Sequence, residues 1–130
     1  MIGRLDHLVL TTTDVDACIA FYGDVLGMEV RRFVGGQPPV ERLAVQVGDQ
    51  KINIHEHGRE LSPHASRPTP GSLDLCFLAD RPLDEVIDTL GRAGIPIEEG
   101  PALRTGAVGP IRSVYVRDPD LNLVEISEPA

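Results

Sequence analysis

The chain has 130 residues, 42% hydrophobic and 25% charged, with a formal net charge of −8. That length suits one domain, or two very small ones fused, with enough apolar material for a stable core. The acidic balance argues against a phosphate backbone or an anionic membrane as partner, and no apolar run approaches the roughly 18 residues a membrane span needs.

Leu5 to Thr11 alternates and reads as a first strand, with Asp14 placed to cap the helix that follows. Val15, Ile19, Tyr22 and Leu26 recur near helical spacing, and Gly27 supplies a left-handed helix end. Met28 to Val34, Glu41 to Val47 and Lys51 to Glu56 read as three further strands, the last two joined by a turn at Gly48-Asp49-Gln50. On the last of them Ile52 and Ile54 share one face, and Asn53 and His55 the other. Residues 57–70 hold Gly58, Pro63, Pro68 and Pro70 without apolar periodicity and read as a linker.

The second half repeats this order. Ser72 to Leu78 is an apolar strand with Asp74 inside it, expected to be buried and to need a partner for its carboxylate. Pro82 suits a first helical turn, and Leu83, Val86, Ile87 and Leu90 form a stripe that runs to Gly94. Ile95 to Ala102 is a sixth strand, Leu103 to Pro110 a glycine-rich loop, Ile111 to Arg117 a seventh strand and Leu121 to Ser127 an eighth, after a turn at Asp118-Pro119-Asp120. His7 to Asp74 and Gly27 to Gly94 share an offset of 67 residues, and Asn53 matches Glu125 at 72. The chain therefore reads as one βαβββ unit written twice, residues 4–56 and 71–128, around the 57–70 linker. The expected fold is α+β, with the two modules pairing into a curved, barrel-like mixed sheet.

Each module offers a polar side chain on its first strand and another on its last. An imidazole and two carboxylates, His7, Asp74 and Glu125, suit a hard or borderline divalent metal: Fe, Mn, Ni, Co or Zn. Asn53 or His55 is a candidate fourth ligand. Taken singly, His7 reads as a satisfied core histidine, Asp74 as bonded to backbone or to an arginine such as Arg4 or Arg112, and Glu125 and His55 as exposed strand residues. Arg104, with Thr105 beside it in a glycine-rich stretch, can clamp an anionic group, and Tyr115 is a further contact candidate. Cys18 and Cys76 read as two reduced core thiols. No signal peptide precedes Leu5, so the expected location is cytoplasmic.

Leu5-Asp6-His7-Leu8-Val9-Leu10, Phe21-Tyr22 with Leu26-Gly27-Met28, and Asp118 to Glu125 resemble signatures of the vicinal oxygen chelate superfamily, which holds glyoxalase I, extradiol dioxygenases and bleomycin- and fosfomycin-resistance proteins. Gly48 to Glu56 and Glu98 to Ala107 resemble the subgroup of glyoxalase-domain-containing-five and biphenyl-diol-dioxygenase-III-related proteins. The resemblance implies His7 and Glu125 as metal ligands, with Asp74 where members commonly carry histidine and Asn53 where glyoxalase I carries a carboxylate. It implies a metal-dependent lyase, isomerase or ring-cleaving dioxygenase acting on a small substrate with vicinal oxygens. His55 or Glu56 would serve as base, and the protein would be a homodimer. The alternatives are a metal-free antibiotic-binding protein, disfavoured by two Tyr, three Phe and no Trp, and a thiol transferase of the fosfomycin-resistance kind.

Overall fold

The computed structural model describes all residues from Met1 to Ala130, and the chain divides into two compact units, Met1–Gly71 and Ser72–Ala130. In the first, β1 (His7–Thr12) leads into a short helix α1 (Val15–Ile19) that widens into a π-helical turn over Ala20–Val25. The strands β2 (Glu29–Gly35), β3 (Val40–Val47) and β4 (Gln50–Glu56) follow. Asp14 caps α1 as expected, its Oδ1 accepting from Ala17 N at 3.0 Å. Gly27, at φ +77, closes the helical segment, and Met28 N donates back to Tyr22 O at 3.0 Å.

The sheet order is β1-β4-β3-β2, with β1 parallel to β4 and the other pairs antiparallel. Val47 pairs with Gln50 across the Gly48-Asp49 turn, which sets the register of the hairpin. Leu10, Val45, Ile52 and Ile54 bury one face together with Cys18, Phe21 and Tyr22 of the helical segment. The other face carries His7, Lys51, Asn53, His55, Arg42 and Phe33, by the alternation of side chains along each strand.

The second unit repeats the plan: β5 (Asp74–Leu78), α2 (Leu83–Arg92), β6 (Glu99–Thr105), β7 (Pro110–Arg117) and β8 (Leu123–Pro129), in sheet order β5-β8-β7-β6. The registers match as well: His7 pairs with Lys51 and Val9 with Asn53, while Asp74 pairs with Leu123 and Cys76 with Glu125. Leu83, Leu90, Val114, Val116, Val124 and Ile126 form its core. Each sheet is open, with two edge strands.

Four expectations need correction. The sixth strand begins at Glu99, not Ile95, and takes in Leu103, Arg104 and Thr105 from the expected loop. Ile95 N is already committed to Leu90 O at 2.9 Å in the helix end, and Pro96 has no N–H to give. The strand also bulges between Glu99 and Ala102, around Gly100 at φ +102. The eighth strand begins two residues late because Leu121 and Asn122 belong to the preceding turn. Finally, β5 is not buried: Asp74, Cys76 and Leu78 lie exposed within their unit, because β5 is an edge strand and only Leu75 and Phe77 turn inward. Of the two expected core thiols, only Cys18 is buried.

Candidate metal and substrate site

In the first unit two histidines lie on the same sheet face, both with the proton on Nδ1. His7 Nδ1 is 2.7 Å from Asp6 Oδ2. A carboxylate only accepts, so Nδ1 carries the proton and Nε2 keeps its lone pair, the arrangement that prepares an imidazole for a metal. The bond to His7 holds the Asp6 carboxyl below its ordinary value. The His7 side chain is 45% exposed. Its diagonal neighbour on β4 is Asn53, 3% exposed, whose Oδ1 is buried without a hydrogen-bond partner.

His55 differs in which nitrogen is engaged. Arg42 NH2 lies 3.3 Å from its Nε2, and a guanidinium can only donate. Nε2 is therefore the acceptor and Nδ1 carries the proton. Nδ1 is itself buried and unpartnered. Burial, and next the Arg42 charge, push the His55 ring below its ordinary pKa, with Glu60 opposing. His55 is thus a neutral donor, with no free lone pair for a metal or an incoming proton. It lines a cavity of about 240 Å³ with Arg42, Glu56, Arg59, Arg32 and Glu41. Glu56 is half exposed, with Arg59 Nε 3.8 Å from it.

In the second unit Glu125 sits on β8 opposite Cys76 and diagonal to Asp74. Ser113 Oγ donates to Glu125 Oε2 at 2.6 Å and is 2.7 Å from Ser127 Oγ. This buried hydroxyl pair fixes one oxygen of the carboxylate. Desolvation pushes the Cys76 thiol up, and the Glu125 charge adds to this against the opposing Ser127 bond. Arg104 is engaged: Nε donates to the Tyr115 hydroxyl at 3.0 Å, NH1 to Leu103 O at 3.0 Å, and NH2 is 3.5 Å from Glu99. Thr105 is exposed at the end of β6. Neither arginine proposed for Asp74 serves it: Arg4 pairs with Asp49 at 2.8 Å and Arg112 with Glu128 at 3.0 Å.

Each sheet thus presents a diagonal pair of donors, His7 with Asn53 and Asp74 with Glu125, and neither unit holds a cluster of three His, Cys, Asp or Glu side chains. An imidazole nitrogen with an amide oxygen on one sheet, and two carboxylates on the other, are donor types that a hard or borderline divalent ion takes. The orphaned Asn53 Oδ1 is the buried acceptor such an ion would satisfy.

Sequence reasoning did not single out Ser113, Ser127, Arg42 or Asn122. Arg42 was within reach of it: extending the hairpin register from Val47 and Gln50 sets Arg42 opposite His55. Asn122, 1% exposed, ties β5 to the turn before β8. Its Oδ1 accepts from Leu73 N at 2.9 Å and its Nδ2 donates to Asp118 Oδ2 at 2.7 Å.

A duplicated βαβββ chain that sets polar donors at matching positions of two mixed sheets defines the class to which this protein belongs. The chain is a member of the Glyoxalase/Bleomycin resistance protein/Dioxygenase superfamily, whose family model matches residues 4–126. It is 50% identical over 128 residues to a virulence protein of Salmonella typhimurium, covering 98% of this chain and 85% of the relative. The crystal structure of that Salmonella protein superposes with a TM-score of 0.92, covering 100% of this chain and 99% of the other. A glyoxalase domain-containing protein of Mycosarcoma maydis is 50% identical over 126 residues, covering 97% of this chain and 68% of the relative. A lactoylglutathione lyase from Agrobacterium tumefaciens is 28% identical with a TM-score of 0.72, covering 98% and 95% of the two chains. No helix is long and apolar enough to cross a membrane.

Proposed function

We propose that the protein is a divalent-metal-dependent enzyme, a lyase, isomerase or dioxygenase, acting on a small substrate with vicinal oxygens. His7, Asp74 and Glu125 are the metal ligands in this reading, with Asn53 rather than His55 as the fourth. The observation that carries it is the pair of donors on the first sheet: His7 with Nδ1 committed to Asp6, and Asn53 with a buried, unpartnered Oδ1. Members of the superfamily often use divalent metals. When bound, such an ion supplies Lewis acidity toward two neighbouring substrate oxygens.

The chain's own residues divide the remaining work. Ser113 orients the Glu125 carboxylate through its 2.6 Å bond. Neither expected base stands ready for the proton: His55 Nε2 is occupied by Arg42, and Glu56 alternates onto the face of β4 opposite Asn53. Arg104, with Tyr115 and Thr105 beside it, holds an anionic tail once Glu99 gives way. The working form is a homodimer, in the cytoplasm. A second reading, metal-free binding of a small molecule, draws on the first-unit cavity, whose wall includes Leu43, Ile54 and Leu61.

Thermal unfolding with Mn, Fe, Ni, Co or Zn tests the first reading. At a hundredfold excess over Kd the ion stabilises by roughly 2.7 kcal/mol, seen as a saturable rise in Tm. The rise is absent in His7→Ala and Glu125→Ala. A wild type that responds to none of the five ions turns the reading toward metal-free binding.

A further inference from the structure

The chain carries a net charge of −8, yet the face of the first sheet that holds His7 is basic. By register, the Lys, Arg and Glu side chains of that face are Glu29, Arg31, Arg42 and Lys51. Arg31 donates to Glu29 at 3.2 Å, so those two charges cancel. Arg42 and Lys51 are left without an ion pair. The one hydrogen bond of the Arg42 guanidinium goes to the His55 ring at 3.3 Å, and the Lys51 ammonium makes none. Two carboxylates are felt from outside the strands, and both are engaged. Asp6, whose charge reaches Lys51, has its Oδ2 on His7 Nδ1. Glu60, whose charge reaches His55, accepts from Gly58 N at 2.9 Å.

Both free cations rest on one aromatic ring. Lys51 Nζ lies 4.0 Å from the Phe33 centroid, and the Arg42 guanidinium carbon 5.5 Å from it. Phe33 stands on the edge strand β2 directly opposite Arg42, whereas Lys51 belongs to β4, with β3 between them. On its way to the ring Lys51 crosses the row of Ala44 and Asn53, where the alanine methyl leaves space. All three side chains are half-buried, which strengthens any charge they meet. A ring holds a cation less firmly than a hydrogen-bonded anion does, and here no carboxylate has to be displaced first. Arg104 differs on this point, since Glu99 lies 3.5 Å from it. Lys51 is also the register partner of His7, with Asn53 two residues on, so the cations stand beside that donor pair. A monoanion would leave one of the two uncompensated; a doubly charged group matches both.

We propose that Lys51 and Arg42, poised on Phe33, form a binding site for a small dianion, either a phosphoryl group or a dicarboxylate. The binding itself requires no metal. That the bound dianion is part of the substrate rests on the enzymatic reading, which it deepens by naming the substrate class.

The test uses full-length, chelator-treated protein. Methyl phosphate, malonate and the monoanion acetate are titrated calorimetrically at constant ionic strength and about pH 8, where the phosphate ester is doubly charged. The expected result is one saturable site per chain for at least one dianion, with acetate weaker by about tenfold or more. K51Q and R42Q each weaken the dianion by about tenfold or more. R31Q removes the same charge from the same face and stays within about threefold of wild type. The proposal is overturned if neither dianion binds saturably, or if acetate binds as tightly as the better of them. It is equally overturned by a K51Q affinity within about twofold of wild type, or by an R31Q loss as large as that of K51Q. Should R42Q fail to fold, K51Q and R31Q decide, because the Lys51 ammonium makes no hydrogen bond the fold would miss. The tighter of the two dianions tells a phosphoryl group from a dicarboxylate. Metal-free protein keeps this outcome separate from the metal question.

Discussion

Asn122→Ala cuts the anchor that sets β5, and with it Asp74, beside β8. The amide makes two bonds the alanine cannot replace: Leu73 N to Oδ1 at 2.9 Å, and Nδ2 to Asp118 Oδ2 at 2.7 Å. Leu73 is half-buried, so its orphaned N–H costs about 1 kcal/mol, the low end for an unsatisfied donor. Asp118 is 3% exposed and loses a charge-assisted bond, which adds about 2 kcal/mol. The expected loss is about 3 kcal/mol in urea unfolding, or roughly 10 °C in Tm for a chain of this length. Amide exchange supplies a local check, because Leu73 N–H has the Asn122 oxygen as its acceptor. The variant should lose protection at Leu73 while α1 and β3 keep theirs. A loss below about 0.5 kcal/mol, or a Leu73 amide that stays protected, would refute the assignment of the anchor.

Two further variants probe the same unit. Glu128 accepts from Leu83 N at the start of α2 and from Arg112, and these bonds, the Leu83 one foremost, hold its carboxyl below the ordinary 4.5. A depressed carboxyl stabilises above its unfolded pKa, and that contribution is lost as pH falls through the folded value. Glu128→Gln should therefore be less stable than wild type at pH 7, with the gap closing below about pH 4.5; a gap constant with pH contradicts this. Gly100→Ala sets a Cβ against the Ser113 carbonyl oxygen at a residue held at φ +102. A loss of about 2 kcal/mol or more in urea unfolding is expected, and an unchanged midpoint would show that the β6 bulge relaxes freely.

The duplicated fold was legible because both halves write it in local signals: alternation in the strands, a helical stripe, and a glycine in the left-handed region at Gly27 and Gly94. His7 and Glu125 stood out as polar residues inside apolar alternation. Features that depend on neighbours distant in sequence stayed hidden. The exposure of Asp74 and Cys76 follows from the edge position of β5, which no local pattern states. Ser113 and Ser127 read as ordinary strand serines until the β7–β8 register puts them opposite each other, next to Glu125. The shift of β6 came from competition: the helix end claimed Ile95 before the sheet could. His55 was read as a base on residue type alone, whereas the Arg42 contact decides which of its nitrogens holds the proton.

Direct counting of bound metal bears hardest on the enzymatic reading. Mn(II) added to chelator-treated protein is followed by the electron paramagnetic resonance signal of the free ion. The account predicts one saturable site per chain in the wild type, and none in His7→Ala or Glu125→Ala at the same concentrations. Sites that survive in both variants, or a wild type that leaves the free-ion signal undiminished, would contradict it.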